Sequence, residues 1–551
     1  MIELAAQTSA PVPVVLSMLH ESVLRNSATR LFRNQPVLRW TLRRLRQASQ
    51  VGACVVLCWD DQQPAVQIAC DEGIEKQAFL VHSIGTRRGI ASVDAVTVAR
   101  RWADGWRGGL LQTCEFDRGF HAPSLLDVIN LLATDIVLCV DPASGLVDAS
   151  LVDTLVRHAR VQSHHDLVFS PATPGACGVL LRRRLIESLA SGNTHPGRAL
   201  HYVPDHPILD PLGREASAPT PTPVARTPHR LSLDSDRQIS RLSDATEYLN
   251  GQLTSSSALQ VLELLSVRPQ VDRWPREIVL EIEPTRATRP VYAATTHRAL
   301  SRVSMSPAKA ALLFDEVGVV DDLRIVFGGC GDALLNPHFF DIVSHASNAG
   351  VPSISVETDL LGVSAQTIER LATSPVDVVS VYVPAMTPAT YKAVMGVDGL
   401  TAVIENIRLL VHARHAAGRV APLVVPTFVK CLQNQGEMEV WYDQWIRALG
   451  HAVVCGPTDY AGQIPDVAVS DVSPPRRRAC ARIQSRLTIL SDGTIVPCEQ
   501  DVLGTMSLGE IGQSSIQSAW SGRMRDLRAD HACGQWTNRP LCAGCREWHR
   551  P

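Results

Sequence analysis

Leu323-Arg-Ile-Val-Phe-Gly-Gly-Cys-Gly-Asp332-Ala-Leu-Leu-Asn-Pro337 reads as a short β-branched run that breaks into a glycine-rich turn. Upstream, Arg276-Glu-Ile-Val-Leu-Glu-Ile-Glu-Pro-Thr285 alternates around Ile278, Leu280 and Ile282, as a strand with a buried face does. Between the two, residues 307–317 have helical spacing, and Ser306 is placed to cap them. Strand, loop, helix and strand make one unit of a parallel α/β fold. The glycine turn falls at the carboxyl end of the second strand, the end that carries the chemistry in parallel barrels.

The alternation continues downstream. Strands are expected at 351–357, 376–383, 423–430 and 453–454, and helices at 400–413 and 439–449. Residues 270–470 therefore read as a partial (β/α) barrel of the TIM type. Its pocket would lie near Glu357, Pro384, Lys430 and Asn434, each of which also has a plain reading as a capping or solvated residue.

Residues 471–551 read as a small further domain. Asp492-Gly493 between two β runs is a hairpin turn that brings Cys480 and Cys498 towards each other. Cys542-Ala-Gly-Cys545 adds a tight pair. Four thiolates suit an iron–sulfur cluster or a tetrahedral zinc ion. Two disulfides are the third option. The 14 cysteines lie scattered, without the compact framework of a secreted scaffold, and this argues for a reduced, cytoplasmic setting.

Residues 1–212 alternate short apolar strands, at 12–18, 52–59, 135–141, 167–170 and 178–181, with helices at 36–48 and 150–159. That order argues for a mostly parallel sheet. Proline, alanine and threonine then crowd the segment 213–269, which reads as a linker ending in a helix, 242–265, that packs on the next domain. The chain has 551 residues and a net charge of −3. No apolar run reaches the ~18 residues of a membrane span, and the first residues lack the basic start of a signal peptide. Basic residues interleave with acids throughout, so no nucleic-acid surface is expected.

Glu281-Ile-Glu-Pro-Thr285 and Gly329-Cys-Gly-Asp-Ala-Leu-Leu-Asn-Pro337 resemble the first two strand ends of radical SAM enzymes. In that family the first loop carries Cys-x3-Cys-x2-Cys, which holds a [4Fe–4S] cluster with one iron open to S-adenosylmethionine. Here the loop is kept, and the three ligand positions fall on Ala287, Val291 and Ala294, none of which can bind iron. The resemblance assigns cofactor contacts to Gly329, Cys330, Gly331, Asp332 and Glu357, with Asp332 and Ala333 where Glu and Pro are usual. S-adenosylmethionine would lose the open iron that anchors it. Cys480, Cys498, Cys542 and Cys545 resemble the ligand set of a SPASM or twitch extension, implying one [4Fe–4S] cluster.

Residues 34–40 (Asn-Gln-Pro-Val-Leu-Arg-Trp) and 140–148 (Val-Asp-Pro-Ala-Ser-Gly-Leu-Val-Asp) resemble cytidylyltransferases of the GT-A type that make activated sugars. The family's phosphate loop is glycine-rich. Here residues 19–30 contain no glycine, Arg25 and Arg30 supply the charge, and Asp141 stands at the metal-binding position that the resemblance implies. Together these readings describe a pseudoenzyme in sugar-nucleotide or cell-surface polysaccharide biosynthesis, acting beside a catalytically active paralogue or other enzymes of that biosynthesis. The alternatives are a nucleotide-sugar enzyme working through the N-terminal domain and an electron-transfer protein.

Overall fold

The computed structural model describes residues 10–71, 79–192, 194–205, 214–267 and 272–550. The start of the expected linker and the boundary near residue 270 lie outside them. The chain forms two compact units, Met1–Gln270 and Val271–Pro551, both mixed α/β.

In the first unit the principal strands are β1 (Val12–Ser17), β2 (Val51–Cys58), β3 (Phe79–Ser83), β4 (Ile136–Cys139), β5 (Leu167–Phe169) and β6 (Val179–Arg182). They form one sheet in the order β3-β2-β1-β4-β6-β5. β3, β2, β1 and β4 run parallel, and β6 is antiparallel to both β4 and β5. Helices cover both faces, so alternate residues enter different cores. Val14, Leu16, Val56 and Leu138 pack on one side, and Val15, Val55, Leu57 and Val137 on the other. Burial on both faces explains why these strands read as continuous apolar runs.

The segment read as a linker is a folded part of this unit. Val224, Leu231, Leu233, Leu242, Val261 and Leu265 are buried in one cluster with Phe32, Val37 and Trp40. The buried Arg44 guanidinium donates to the carbonyls of Val147 (2.6 Å), Thr254 (3.1 Å) and Ser256 (2.5 Å). Asp148 caps the helix Ala149–Val161 and also accepts from the Ala258 amide at 2.7 Å. The expected helix at 242–265 is three pieces, Asp236–Thr246, Glu247–Ser255 and Ala258–Val267, and its apolar residues are buried in the core of the first unit. Irregularly spaced apolar anchors among prolines concealed this packing.

The second unit is built on β7 (Glu277–Leu280), β8 (Arg324–Phe327), β9 (Ser353–Thr358), β10 (Val378–Tyr382), β11 (Leu423–Val429) and β12 (Val453–Cys455). These six strands are parallel and adjacent in sequence order, with helices between them. The Ser306 hydroxyl accepts from the Lys309 amide at 3.3 Å and caps Pro307–Val317 as expected. On β7, Ile278 and Leu280 enter the helix-covered core, while Glu277 and Val279 face a central cavity.

The expected hairpin follows, as β13 (Arg486–Ile489) and β14 (Thr494–Val496), with Gly493 at φ +94° in its turn. It does not stand apart from the barrel. β13 pairs in parallel with β7, so β13, β14 and β15 (Gly509–Glu510) extend the same sheet past its first strand. Among the described residues no helix is long and apolar enough to cross a membrane.

Candidate metal centre and barrel cavity

Cys480 precedes the short turn Arg482–Gln484, Cys498 follows β14, and Cys542 and Cys545 lie in and just after the helix Pro540–Gly544. The structure brings all four to one small pocket, closed by Leu527, His531 and Trp548. None is in a disulfide. The pocket is organised for sulfur ligands. The Glu547 amide donates to Cys545 Sγ at 3.3 Å, and the Gln500 amide to the Cys498 sulfur. The Cys480 amide donates to His531 Nδ1 at 3.2 Å, and Arg477 donates to the Cys542 carbonyl at 2.6 Å. Burial, and then the neighbouring sulfurs, push the Cys542 thiol up to about 12, and burial likewise raises Cys498 and Cys545. Bare thiolates are therefore costly here, and a bound cationic centre offsets that cost.

The four sulfurs share one buried pocket. An iron–sulfur cluster is held by four cysteine thiolates, each on a different iron. The residues fit the cluster, and zinc gains no support.

The barrel encloses a second feature, a cavity of about 880 Å³ at the carboxyl ends of the strands. Gly329, Cys330, Glu357 and Lys430 line it, and Gly331 and Asp332 do not. Gly331 is packed beneath: a Cβ there would sit 2.0 Å from the Glu283 carbonyl oxygen. The fully buried Asp332 accepts from Thr358 Oγ1 (2.8 Å), the Asp359 amide (2.8 Å) and the Leu334 amide (3.1 Å). Burial, and then the Asp359 carboxylate, raise its carboxyl to about 6. Glu357 accepts from the Tyr382 hydroxyl at 3.0 Å, and burial raises its carboxyl too. Pro384 and Asn434 hold the backbone: Asn434 Nδ2 donates to the Pro384 carbonyl at 2.8 Å, and its Oδ1 accepts from the Cys431 amide at 2.7 Å.

Two ion pairs that the sequence did not reveal occupy the loop after β7. Arg302 donates from Nε and Nη2 to Glu281 at 2.8 and 3.0 Å, and Glu281 also accepts from the amides of Cys330 (3.0 Å) and Ser491 (3.3 Å). Arg286 donates to Asp359 at 3.1 Å and lies over the Tyr382 ring. The same loop carries Ala287, Val291 and Ala294. Ala287 is exposed beside Gly362, the Val291 amide bonds the Val394 carbonyl, and Ala294 is buried with Cys330 and Val502. None of the three lines the cavity. The available signal for the first pair was Glu281, a charge directly after an otherwise apolar run, since such a group needs a partner.

In the first unit Arg25 is exposed, with its amide on Ser22 Oγ, and Arg30 turns to the Asp234 carbonyl and to Asp236. Asp141 follows β4 and lines a cavity of only about 30 Å³ with Ser17, Glu115 and Arg118. It lies 3.9 Å from both Arg118 Nη1 and His20 Nε2, and burial raises its carboxyl to about 6. The structure therefore separates Arg25 from Arg30 and Asp141. The loop's amides are occupied as well: Ser27 donates to Glu21 (2.9 Å), and Ala28 and Thr29 donate to Asn26 Oδ1 (3.0 and 3.2 Å). A phosphate cradle needs such amides free.

Residues 480–546 match the family model of the SPASM iron–sulfur cluster-binding domain, and this stretch contains all four cysteines. An uncharacterized protein of Treponema pallidum (strain Nichols) is 24% identical over 227 residues, which is 40% of this chain and 62% of that protein. The match thus spans less than two thirds of this relative. Among solved structures, BtrN in complex with AdoMet and 2-DOIA is 14% identical, with a TM-score of 0.36, covering 49% of this chain and 92% of its own. A cytidylyltransferase from Leptospira borgpetersenii is also 14% identical, with a TM-score of 0.33, covering 47% of this chain and 95% of its own. The region that matches the SPASM iron–sulfur cluster-binding domain is joined through one continuous sheet to a parallel α/β barrel.

Proposed function

We propose that this chain is an iron–sulfur protein of the radical SAM/SPASM kind that holds one [4Fe–4S] cluster on Cys480, Cys498, Cys542 and Cys545 and does not cleave S-adenosylmethionine. The observation that carries this reading is a contrast within one unit. Four thiols converge on a pocket with amides aimed at two of the sulfurs. The loop after β7 offers Ala287, Val291 and Ala294, and spends its charge on Arg302–Glu281 and Arg286–Asp359. A bound cluster supplies one-electron redox chemistry. The chain's own part is to hold it: Glu547 and Gln500 donate hydrogen bonds to sulfur, while Leu527 and Trp548 keep water from the pocket. The protein then acts as an accessory or pseudoenzyme partner to a catalytically competent one.

Anaerobic purification followed by iron and acid-labile sulfide analysis and EPR tests the reading. About four irons per chain are expected, with no 5′-deoxyadenosine on reduction with S-adenosylmethionine. About eight irons, or reductive cleavage, would sink it. The sugar-nucleotide setting rests on residues 34–40 and 140–148. Calorimetry with CTP and nucleotide sugars tests that part separately, and no binding removes it.

A further inference from the structure

A second group of side chains able to ligate a metal lies in the first unit. His164 and His165 sit just before β5, and Glu215 lies just before the strand-like segment that bridges Phe169 to Ser217. Nε2 of His164 is 3.5 Å from Glu215 Oε2, and Nε2 of His165 is 3.9 Å from the same oxygen. Both are too long for hydrogen bonds. The two imidazoles stand with ring centroids 4.1 Å apart, and the three ligand atoms all lie within 4.8 Å of one another. His165 Nε2 is buried and has no hydrogen-bond partner.

The backbone around these groups is already fixed. Arg182 Nε donates to the His165 carbonyl at 3.0 Å, and the Arg182 amide donates to the Asp166 carbonyl at 2.9 Å. On the other side the Phe169 amide donates to the Ala216 carbonyl at 3.0 Å, and the Ala218 amide to the Phe169 carbonyl at 2.8 Å. His158, in the last turns of the helix Ala149–Val161, donates from Nε2 to the Glu215 carbonyl at 2.5 Å. The backbone on both sides of the constellation is thus held by neighbouring strand contacts, while the His164 and Glu215 side chains are 63% and 70% exposed.

We propose that His164 Nε2, His165 Nε2 and Glu215 Oε2 form a binding site for a divalent cation of the zinc class, with His158 as a positioning residue. Two imidazoles and a carboxylate suit Zn²⁺, Co²⁺, Ni²⁺ or Cu²⁺ rather than Ca²⁺ or Mg²⁺. Bonds of ~2.0–2.2 Å in tetrahedral geometry place neighbouring ligand atoms ~3.4 Å apart, so only a small closing movement is required. Three protein ligands leave a position for water. The ion would tie the start of β5 to the segment that flanks it.

The test uses the full-length, cluster-loaded protein titrated with Zn²⁺, with Co²⁺ as a spectroscopic probe. The expected result is a single additional Zn²⁺ relative to the His164→Gln/His165→Gln protein, with a Co²⁺ spectrum lacking thiolate charge-transfer bands. His158→Gln is expected to weaken binding ~10–100-fold without abolishing it. Equal zinc content in the parent and doubly substituted proteins overturns the proposal, as does a thiolate-type Co²⁺ spectrum. A second measurement needs no variant: Zn²⁺ should protect His164 and His165 of the parent protein from acylation by diethyl pyrocarbonate. Unchanged labelling of both residues overturns it as well.

Discussion

Substituting Arg302 by methionine removes one half of a buried pair and leaves the other half inside. The side chains of Arg302 and Glu281 are 8% and 1% exposed. Glu281 would keep its two amide donors, from Cys330 and Ser491, and lose both guanidinium bonds. Breaking a buried pair by removing one partner costs ~3–5 kcal/mol. The retained amides place this case near the lower end, about 3 kcal/mol. At ~2–4 °C per kcal/mol for a unit of this size, the melting temperature should fall by about 6–12 °C. Urea unfolding followed by tryptophan fluorescence measures the loss directly. The deficit should resist added salt, because the pair is buried. Arg302→Met/Glu281→Leu should recover most of the loss. A loss below ~1 kcal/mol for the single variant is what a screened surface pair gives, and it would refute the assignment. A double variant as unstable as the single one would do the same.

Further outcomes follow from other contacts. Gly331→Ala should destabilise the second unit by about 3 kcal/mol, because its Cβ meets the backbone of residues 283–285. Gly436→Ala, with nothing within 4 Å, should be near neutral, and thermal unfolding compares the two. Burial, and then Arg118, lower His20 from 6.5 to about 3. The unfolded chain therefore binds a proton below 6.5 that the folded one refuses, and the first unit loses stability as pH falls through that window. The raised carboxyl of Glu21, at about 7, slopes the other way between 4.5 and 7, so the difference between the parent and His20→Gln profiles isolates the histidine. An unchanged profile in that variant contradicts the assignment. Cys498→Ser should lower bound iron and the melting temperature together, since metal binding is coupled to folding in such pockets. Full iron retention would remove Cys498 from the ligand set.

Much of the second unit was legible before any coordinates. The strand–loop–helix–strand unit from Glu277 to Phe327 announces itself through β-branched runs, a serine cap and a glycine turn, which act within a few residues. The hairpin at Asp492-Gly493 is a local turn preference. The four cysteines, and the missing thiols at Ala287, Val291 and Ala294, are matters of residue type and spacing. The segment 213–269 was misread for the opposite reason. Its proline-rich composition is local, whereas the burial of Val224, Leu231 and Leu233 depends on Phe32 and Trp40, which are far away in sequence.

Residue type and short-range periodicity thus suffice to establish a parallel α/β barrel unit, its capping, and which segments carry the four clustered cysteines. They cannot specify which charges meet. Arg302 reaches Glu281 across 21 residues, Arg286 reaches Asp359 across 73, and Ser491 reaches Glu281 across 210. Nor do they reveal that β13 lies against β7, or that His165 and Glu215 face one another. Each of those pairings exists because the sheet brings distant segments together, and no single segment encodes the approach of another.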